Sequence, residues 1–562
     1  MNKLVSGRIV SLLCQLWVTH YQRGGRTLGK TYKQTFLQGA LILLVANALV
    51  KIIGALFKIP LTYLIGPDGM GIYGTAYIIY TWLFVIATAG LPIAVSKMVS
   101  ESIARNNRPE AHKIFNVAFY LLTVIGITGT AVLFFGAKFF ANTLGNSRAY
   151  LAIMAMSPSL LFVALMSAYR GYFQGLQNMV PTAISEVIEA LGKLIIGYLL
   201  AYLWISRGKE YAAAGAILGV STGTFLGALA LYGIYQLSQK RIHDEIKGAK
   251  DHRVKVRTGR EIIYELIRIA VPITIGVSVF SLTSVIDLAM IMNRLQAIGY
   301  SEVQASTLYG YYSNYAVTMF NLPPTLIIAL STSIVPAVAS AFAVHNTRLA
   351  KRTTESAIRI TVLFALPSAI GLSLLAEPIL ALVYHDTGAA QLLNILGIAV
   401  LFVSLVLVTN AILQATGKPM VPVRNMLIGG IVKIITNYIL VGNPQVNING
   451  VPIGTTLCYF IIVVLNLIEV KSITKAEYKV VDFLFKPIIA VVSMGISVIF
   501  TYNKLVLMIH NNDISTLGAI MVGAIIYGLM LIAIGGIKKE DIEMMPKGKK
   551  IVKVMNKFGL LR

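Results

Sequence analysis

Apolar runs long enough to cross a hydrocarbon layer recur from one end of this chain to the other. They lie near residues 36–63, 72–98, 112–140, 150–174, 183–204, 211–236, 266–293, 308–338, 357–384, 390–415, 424–442, 451–470, 485–510 and 515–537. Each approaches the roughly 20 residues that a helix needs to span a bilayer. A soluble chain of 562 residues, 56% hydrophobic and 13% charged, could not bury so much apolar surface. With no water in the bilayer core, such runs become helices or a closed barrel, and the alternation of barrel strands is missing. The sequence predicts an all-α polytopic membrane protein with about fourteen transmembrane helices.

The formal charge of +25 is placed in a way that argues against nucleic acid. Basic residues crowd the first 35 residues (Arg23, Arg26, Lys30, Lys33), the segment 239–260, the segment 346–359 and the C-terminal tail (Lys547, Lys549, Lys550, Lys553, Lys557). Counted from a cytoplasmic N-terminus, all of these fall on the cytoplasmic side, while 64–71 and 442–450, assigned outside, carry no Lys or Arg. This is the positive-inside pattern, with both termini cytoplasmic and anionic lipid headgroups as partners. Cys14 and Cys458 offer no disulfide framework, and the first eighteen residues lack a long apolar run with a small-residue cleavage site.

One six-helix unit is written twice. Tyr73-Gly74 recurs as Tyr309-Gly310, and Ile93-Ala94-Val95-Ser96 as Ile328-Ala329-Leu330-Ser331. Gln174 followed by Met179-Val180-Pro181 recurs as Gln414 followed by Met420-Val421-Pro422. Lys193 recurs as Lys433, and Gly215/Gly219 as Gly450/Gly454. A common offset across four helices marks an internal repeat. Two parallel six-helix lobes related by an axis along the membrane normal form a transporter plan with the path between them. The expected divisions are 1–35, a cytoplasmic extension; 36–238, the N-lobe; 239–265, a basic cytoplasmic linker; 266–470, the C-lobe; 471–540, a cytoplasmic segment with two further helices; and 541–562, a basic tail.

Charges inside the apolar runs point to the chemistry. Lys51 and Lys58 lie two helical turns apart in the first run, on one face. A charge facing mid-bilayer hydrocarbon costs roughly 3 kcal/mol or more, so they face a wet interior, unless Lys58 snorkels from near its helix end. Glu186, Glu189 and Lys193 share a face of the fifth run, with Glu189 and Lys193 in the favourable order for an ion pair. They form either a structural pair tying this helix to its neighbours or a gating or coupling element. Arg170, among Tyr169, Tyr172 and Phe173, either grips phosphate or anchors the helix in an aromatic belt. Asp287, the acid deep in the seventh run, either binds a coupling cation or proton or partners an internal lysine. Gly90-Leu91-Pro92, Pro323-Pro324 and Pro336 mark hinges or plain kinks.

No catalytic constellation emerges, and enzyme chemistry is not expected. Residues 24–31 (GGRTLGKT) fit the phosphate-loop spacing, but that loop works between a strand and a helix of a parallel sheet, which this tail is too short to supply. The histidines do not cluster, and His385-Asp386 has no metal-ligand company.

The segment 51–101 (KIIGALFKIPLTYLIGPDGMGIYGTAYIIYTWLFVIATAGLPIAVSKMVSE) resembles the MurJ-like flippases of the SpoVB/YtgP branch, within the multidrug/oligosaccharidyl-lipid/polysaccharide flippase superfamily. GYFQGLQNMVPTAISEVIE at 171–189 and LPPTLIIALSTSIVPAVASA at 322–341 extend the resemblance, which covers roughly 36–540. It implies a cationic cavity moving an undecaprenyl-diphosphate-linked sugar precursor, most naturally the peptidoglycan precursor, across the bacterial cytoplasmic membrane. It also implies cell-wall synthesis enzymes as neighbours, coupling to a monovalent cation or the membrane potential, and no bound cofactor. Lys51, Gly54 and Lys58 match the family's two basic residues around a glycine, with one extra residue of spacing. Nothing is carried over for the second and eighth runs, which hold no basic residue before Lys97 or between Arg294 and Arg348. A flippase for another lipid-linked polysaccharide and a cation-coupled exporter of the same fold remain the alternatives.

Overall fold

The computed structural model describes residues 36–248, 256–325, 327–328, 338, 342, 347–476 and 485–536. The extension 1–35 with its GGRTLGKT octet, residues 249–255 of the basic linker, Pro336, and the tail from 537 lie outside the described residues.

Every regular element among the described residues is helical. In the first half these are α1 (Phe36–Thr88), α2 (Leu91–Ala104), α3 (Arg108–Thr143), α4 (Tyr150–Gly175), α5 (Val180–Gly192), α6 (Tyr198–Trp204) and α7 (Lys209–Gly248). The second half contributes α8 (Gly259–Ala297), α9 (Glu302–Gly310), α10 (Val317–Phe320), α11 (Thr347–Leu374), α12 (Ala376–Tyr384), α13 (Ala390–Ala415), α14 (Met420–Val441) and α15 (Gly450–Thr474). The last pair is α16 (Lys486–Ile509) and α17 (Asn512–Ala533). Eleven segments among the described residues are long and apolar enough to cross a membrane. One of them, Ile42–Ala104, holds both of the first two predicted runs.

Local chemistry sets the breaks. α1 bends at Gly66, whose φ of 67° suits a residue without Cβ, and Pro67 follows it. The two limbs of α1 are therefore the first and second apolar runs folded back on each other. Asn107 caps α3 by accepting from the Glu110 N–H, and Thr258 and Ser301 open α8 and α9 with reciprocal capping boxes.

The same helix pairings recur in both halves. α3 packs on α4, α4 on α7 and α5 on α7; correspondingly α11 packs on α13, α13 on α15 and α14 on α15. Two apolar clusters fill the interior. One runs through the first half and into Tyr309–Phe320 and Leu392–Val400, and the other joins α11, α13 and α15 to α16 and α17.

The halves meet tightly near the Gly66 bend. Gly310 lies against the Pro67 carbonyl and Gly71 against the Ser306 backbone, so that a Cβ at either glycine would overlap its neighbour. Asn314 Nδ2 donates to Met70 O at 2.7 Å, and Ser147 Oγ donates to Glu302 at 2.8 Å. At the opposite end Arg257 pairs with Glu110 of α3 and Glu265 of α8, and Gly90 abuts the Ala270 backbone.

Candidate functional site

Each half holds one charged cluster, built around the repeat-related lysines Lys193 and Lys433. Lys193 follows α5 and opens a π-helical turn over Lys193–Gly197. Its ammonium lies 4.6 Å from the Tyr77 ring centre and 5.0 Å from that of Phe57, within cation–π range. The hydroxyls of Tyr73 and Tyr77 lie close to it. Lys58, one residue beyond Phe57, donates to Thr318 Oγ1 of α10 at 2.7 Å, a bond that crosses between the halves. The two ammonium groups are close enough to repel each other. Among the described residues neither has a carboxylate partner.

Lys51 lies two turns before Lys58 on α1; it is exposed, as are Ile52 and Leu56, whereas Lys58 is half-buried and Phe57 is buried.

The acids of α5 also depart from the local expectation. Glu189 pairs with Arg170 of α4, not with Lys193: Arg170 Nη2 reaches Glu189 Oε2 at 3.1 Å while its Nε donates to Ser185 Oγ at 3.0 Å. The π turn starts at Lys193 and the side chain leans onto α1 aromatics, so the i,i+4 pair does not form. Arg170 is thereby engaged within the first half, tying α4 to α5. Glu186 lies beside them with a buried Oε2 that accepts no hydrogen bond among the described residues.

In the second half Asp287 of α8 is ion-paired to Lys433 of α14, and its second oxygen accepts from Asn437 Nδ2 at 3.0 Å. The side chains of Asp287 and Lys433 are only 9% and 17% exposed. Of the two readings the sequence left for Asp287, partner to an internal lysine is the one the geometry realises. Asn437 was not singled out by the sequence, although its place four residues after Lys433 puts both on one helix face. Thr318, Phe57, Tyr73 and Tyr77 were missed as well; only Tyr73 carried a signal, through its repeat at Tyr309.

A further network near the Gly66 bend was also missed. The buried Asp68 carboxylate takes Arg148 at 2.8 and 3.2 Å, Lys209 lies 3.8 Å away, and Arg148 Nε donates to Glu210 at 2.8 Å. Glu302, from the second half, accepts from Ser147 Oγ and from the Arg148 backbone N–H at 3.1 Å. Among the described residues no group of three His, Cys, Asp or Glu side chains is placed to hold a metal ion.

The chain is similar to the stage V sporulation protein B of Bacillus subtilis (strain 168), 26% identical over 515 residues, covering 92% of this chain and 98% of that one. It is 27% identical over 467 residues to the lipid II flippase MurJ of the same organism, covering 79% and 84%. Among solved structures, a lipid II flippase MurJ in an inward closed conformation superposes with a TM-score of 0.65 at 16% identity, over 87% of this chain and 98% of that one. An inward-facing multidrug resistance MATE family transporter of the MOP superfamily gives 0.61 at 14%, over 78% and 100%. The MatE family model matches residues 301–439, and the family model described as polysaccharide biosynthesis protein matches residues 36–342. With more than half its length under that model, this chain belongs to the polysaccharide biosynthesis protein family.

Proposed function

We propose that the protein is a flippase that carries an undecaprenyl-diphosphate-linked glycan precursor, lipid II foremost, across the bacterial cytoplasmic membrane by alternating access. The observation that carries this reading is the pair Lys58 and Lys193: two partly buried ammonium groups on apolar helices, with no carboxylate among the described residues to neutralise either. Such a pair has unmet demand for anionic oxygens, and a diphosphate supplies them while its polyprenyl tail stays in lipid. Lys51, exposed on α1, makes first contact with the diphosphate or with anionic headgroups. The Lys58–Thr318 bond holds the halves together until phosphate replaces the hydroxyl. Arg170, Glu189 and Glu186 act as a gating or coupling element between α4 and α5. Residues 36–238 and 266–470 rock as lobes around this site, with both termini cytoplasmic, and coupling is to a monovalent cation or the membrane potential.

The MatE match over 301–439 favours a second reading, a cation-coupled exporter. In the second half, where that match lies, the carboxylate of Asp287 is tied to Lys433. The deciding experiment depletes an essential peptidoglycan flippase in a host and supplies this protein or its Lys193→Ala form. The readout is exposure of the lipid-linked precursor at the outer leaflet. Restoration by wild type alone supports lipid II as cargo and the cationic pair as its site. A well-expressed wild type that exposes no precursor would shift the cargo to another polyprenyl-linked polysaccharide or to a small molecule.

A further inference from the structure

At the end opposite the Gly66 bend, one side chain ties the two halves together from the segment that connects them. Arg257 stands two residues before α8, where the chain passes from the first half to the second. Its Nε donates to Glu110 of α3 and its Nη1 to Glu265 of α8, so a single guanidinium spans both halves. Lys113, one turn after Glu110, donates to the Arg257 carbonyl oxygen at 2.7 Å. The Glu110 side chain is only 4% exposed and also accepts from Asn107 Nδ2 at 2.7 Å, while that of Glu265 is 36% exposed. Two acids and two bases close this set without net charge. Farther along the seam Gly90 lies so close to the Ala270 backbone that a Cβ there would overlap it.

We propose that Arg257 is a latch on this seam, at the end that the charge pattern assigns to the cytoplasm, and that opening there moves it from two carboxylates to one. The two carboxylates are not equivalent. Glu265 lies about two turns beyond Arg257 on the helix that Arg257 precedes, so the two travel together. Glu110 travels with the first half. Separation of the halves therefore breaks the Arg257–Glu110 pair and the Lys113 bond, and it keeps Arg257–Glu265. A guanidinium suits this work, because it holds its charge and offers separate donors to two acceptors at once. Buried in the closed seam, the Glu110 carboxylate depends on its partner, whereas water reaches it once the seam opens. Glu110 thus favours the closed seam, and Glu265 holds Arg257 in the open one.

The inference takes alternating access from the proposed function and nothing from the cargo. Its test uses no lipid-linked substrate, so a failure here and a failure of the flippase reading are separate results. In the full chain with Cys14 and Cys458 changed to Ser, Ala270→Cys reports on this seam. Ala305→Cys, beside the Ser306 backbone that Gly71 meets, reports on the opposite one; both alanines are buried. Alkylation of each reporter by a water-soluble maleimide is timed in lipid nanodiscs. Arg257→Gln and Glu110→Gln each remove a charge-assisted hydrogen bond from the closed state alone. Each is expected to speed the Ala270→Cys reporter by about tenfold or more and to leave the Ala305→Cys reporter no faster. Glu265→Gln is expected to leave the Ala270→Cys reporter no faster than in the parent. Rates within about twofold of the parent for both Arg257→Gln and Glu110→Gln would overturn the latch. So would acceleration at both reporters, which marks general loosening, or equal acceleration by Glu265→Gln, which would make Arg257 a plain structural bridge.

Discussion

The two halves of this molecule place repeat-related lysines, Lys193 and Lys433, in opposite chemistry. In each, a lysine on the fifth helix of the repeat faces a side chain from the first helix, and the residue four positions further on packs behind it. In the first half the set is Lys193, Phe57 and Gly197; in the second it is Lys433, Asp287 and Asn437. A Cβ on Gly197 would meet the Phe57 ring at 3.1 Å, while Asn437 at the matching place reaches Asp287. Behind each lysine the next helix crosses closely through a glycine, Gly219 against Gly197 and Gly454 against Asn437. One backbone plan therefore supplies a cation that is neutralised inside the protein and a second held only by aromatic faces and hydroxyls. Duplication provided two equivalent positions, and a few side chains separated the structural one from the one left open to a ligand.

The sharpest test of that division is to remove one member of the closed pair. Asp287→Ala leaves Lys433 without its carboxylate and should cost roughly 3 kcal/mol, read as a lower thermal midpoint in detergent. The paired change Asp287→Asn/Lys433→Met should stay near wild type, because a buried ion pair returns little beyond its own desolvation cost. A mild single change or a severe double one would show that the pair is not self-contained.

The open lysine should behave in the reverse way. Lys193→Met removes an uncompensated charge, so the thermal midpoint should hold or rise while transport falls at least about tenfold, some 1.4 kcal/mol of lost phosphate interaction. Loss of stability together with transport would make Lys193 structural like its counterpart. Next in size is Thr318→Val, which strips Lys58 of its bond across the halves. A hydrogen bond to a charged group contributes about 1.5 kcal/mol or more, so the midpoint should drop modestly, and Thr318→Ser should restore it. Lys51→Ala should have the smallest effect, with precursor exposure within about threefold of wild type, since one exposed charge contributes on the order of 1 kcal/mol near an anionic surface.

Much of this architecture was legible in the sequence because the bilayer makes a strong demand. Apolar runs of spanning length must close their own hydrogen bonds, so 36–63, 150–174 or 451–470 left no choice but helix. The repeat was legible because residues at close contacts, such as Gly310 against Pro67 and Gly454 against Asn437, tolerate little change. Lys58, Lys193 and Asp287 stood out because charge is costly there. Their partners did not, because pairing depends on how helices distant in sequence are rotated. Asp287 and Lys433 are 146 residues apart, and Lys58 and Thr318 are 260 apart. For Glu189 the pair tying its helix to a neighbour is present, but with another partner: a local rule offered Lys193, and Arg170 prevailed across the α4–α5 contact.

Binding of undecaprenyl diphosphate to the purified protein in lipid nanodiscs, titrated to saturation, bears most directly on the division between an open and a closed cation. The Lys58→Ala/Lys193→Met variant should bind at least about tenfold more weakly than wild type, and Asp287→Asn/Lys433→Met should bind as wild type does. Equal binding by the first variant, or a comparable loss in the second, would contradict the assignment of the diphosphate to the first half.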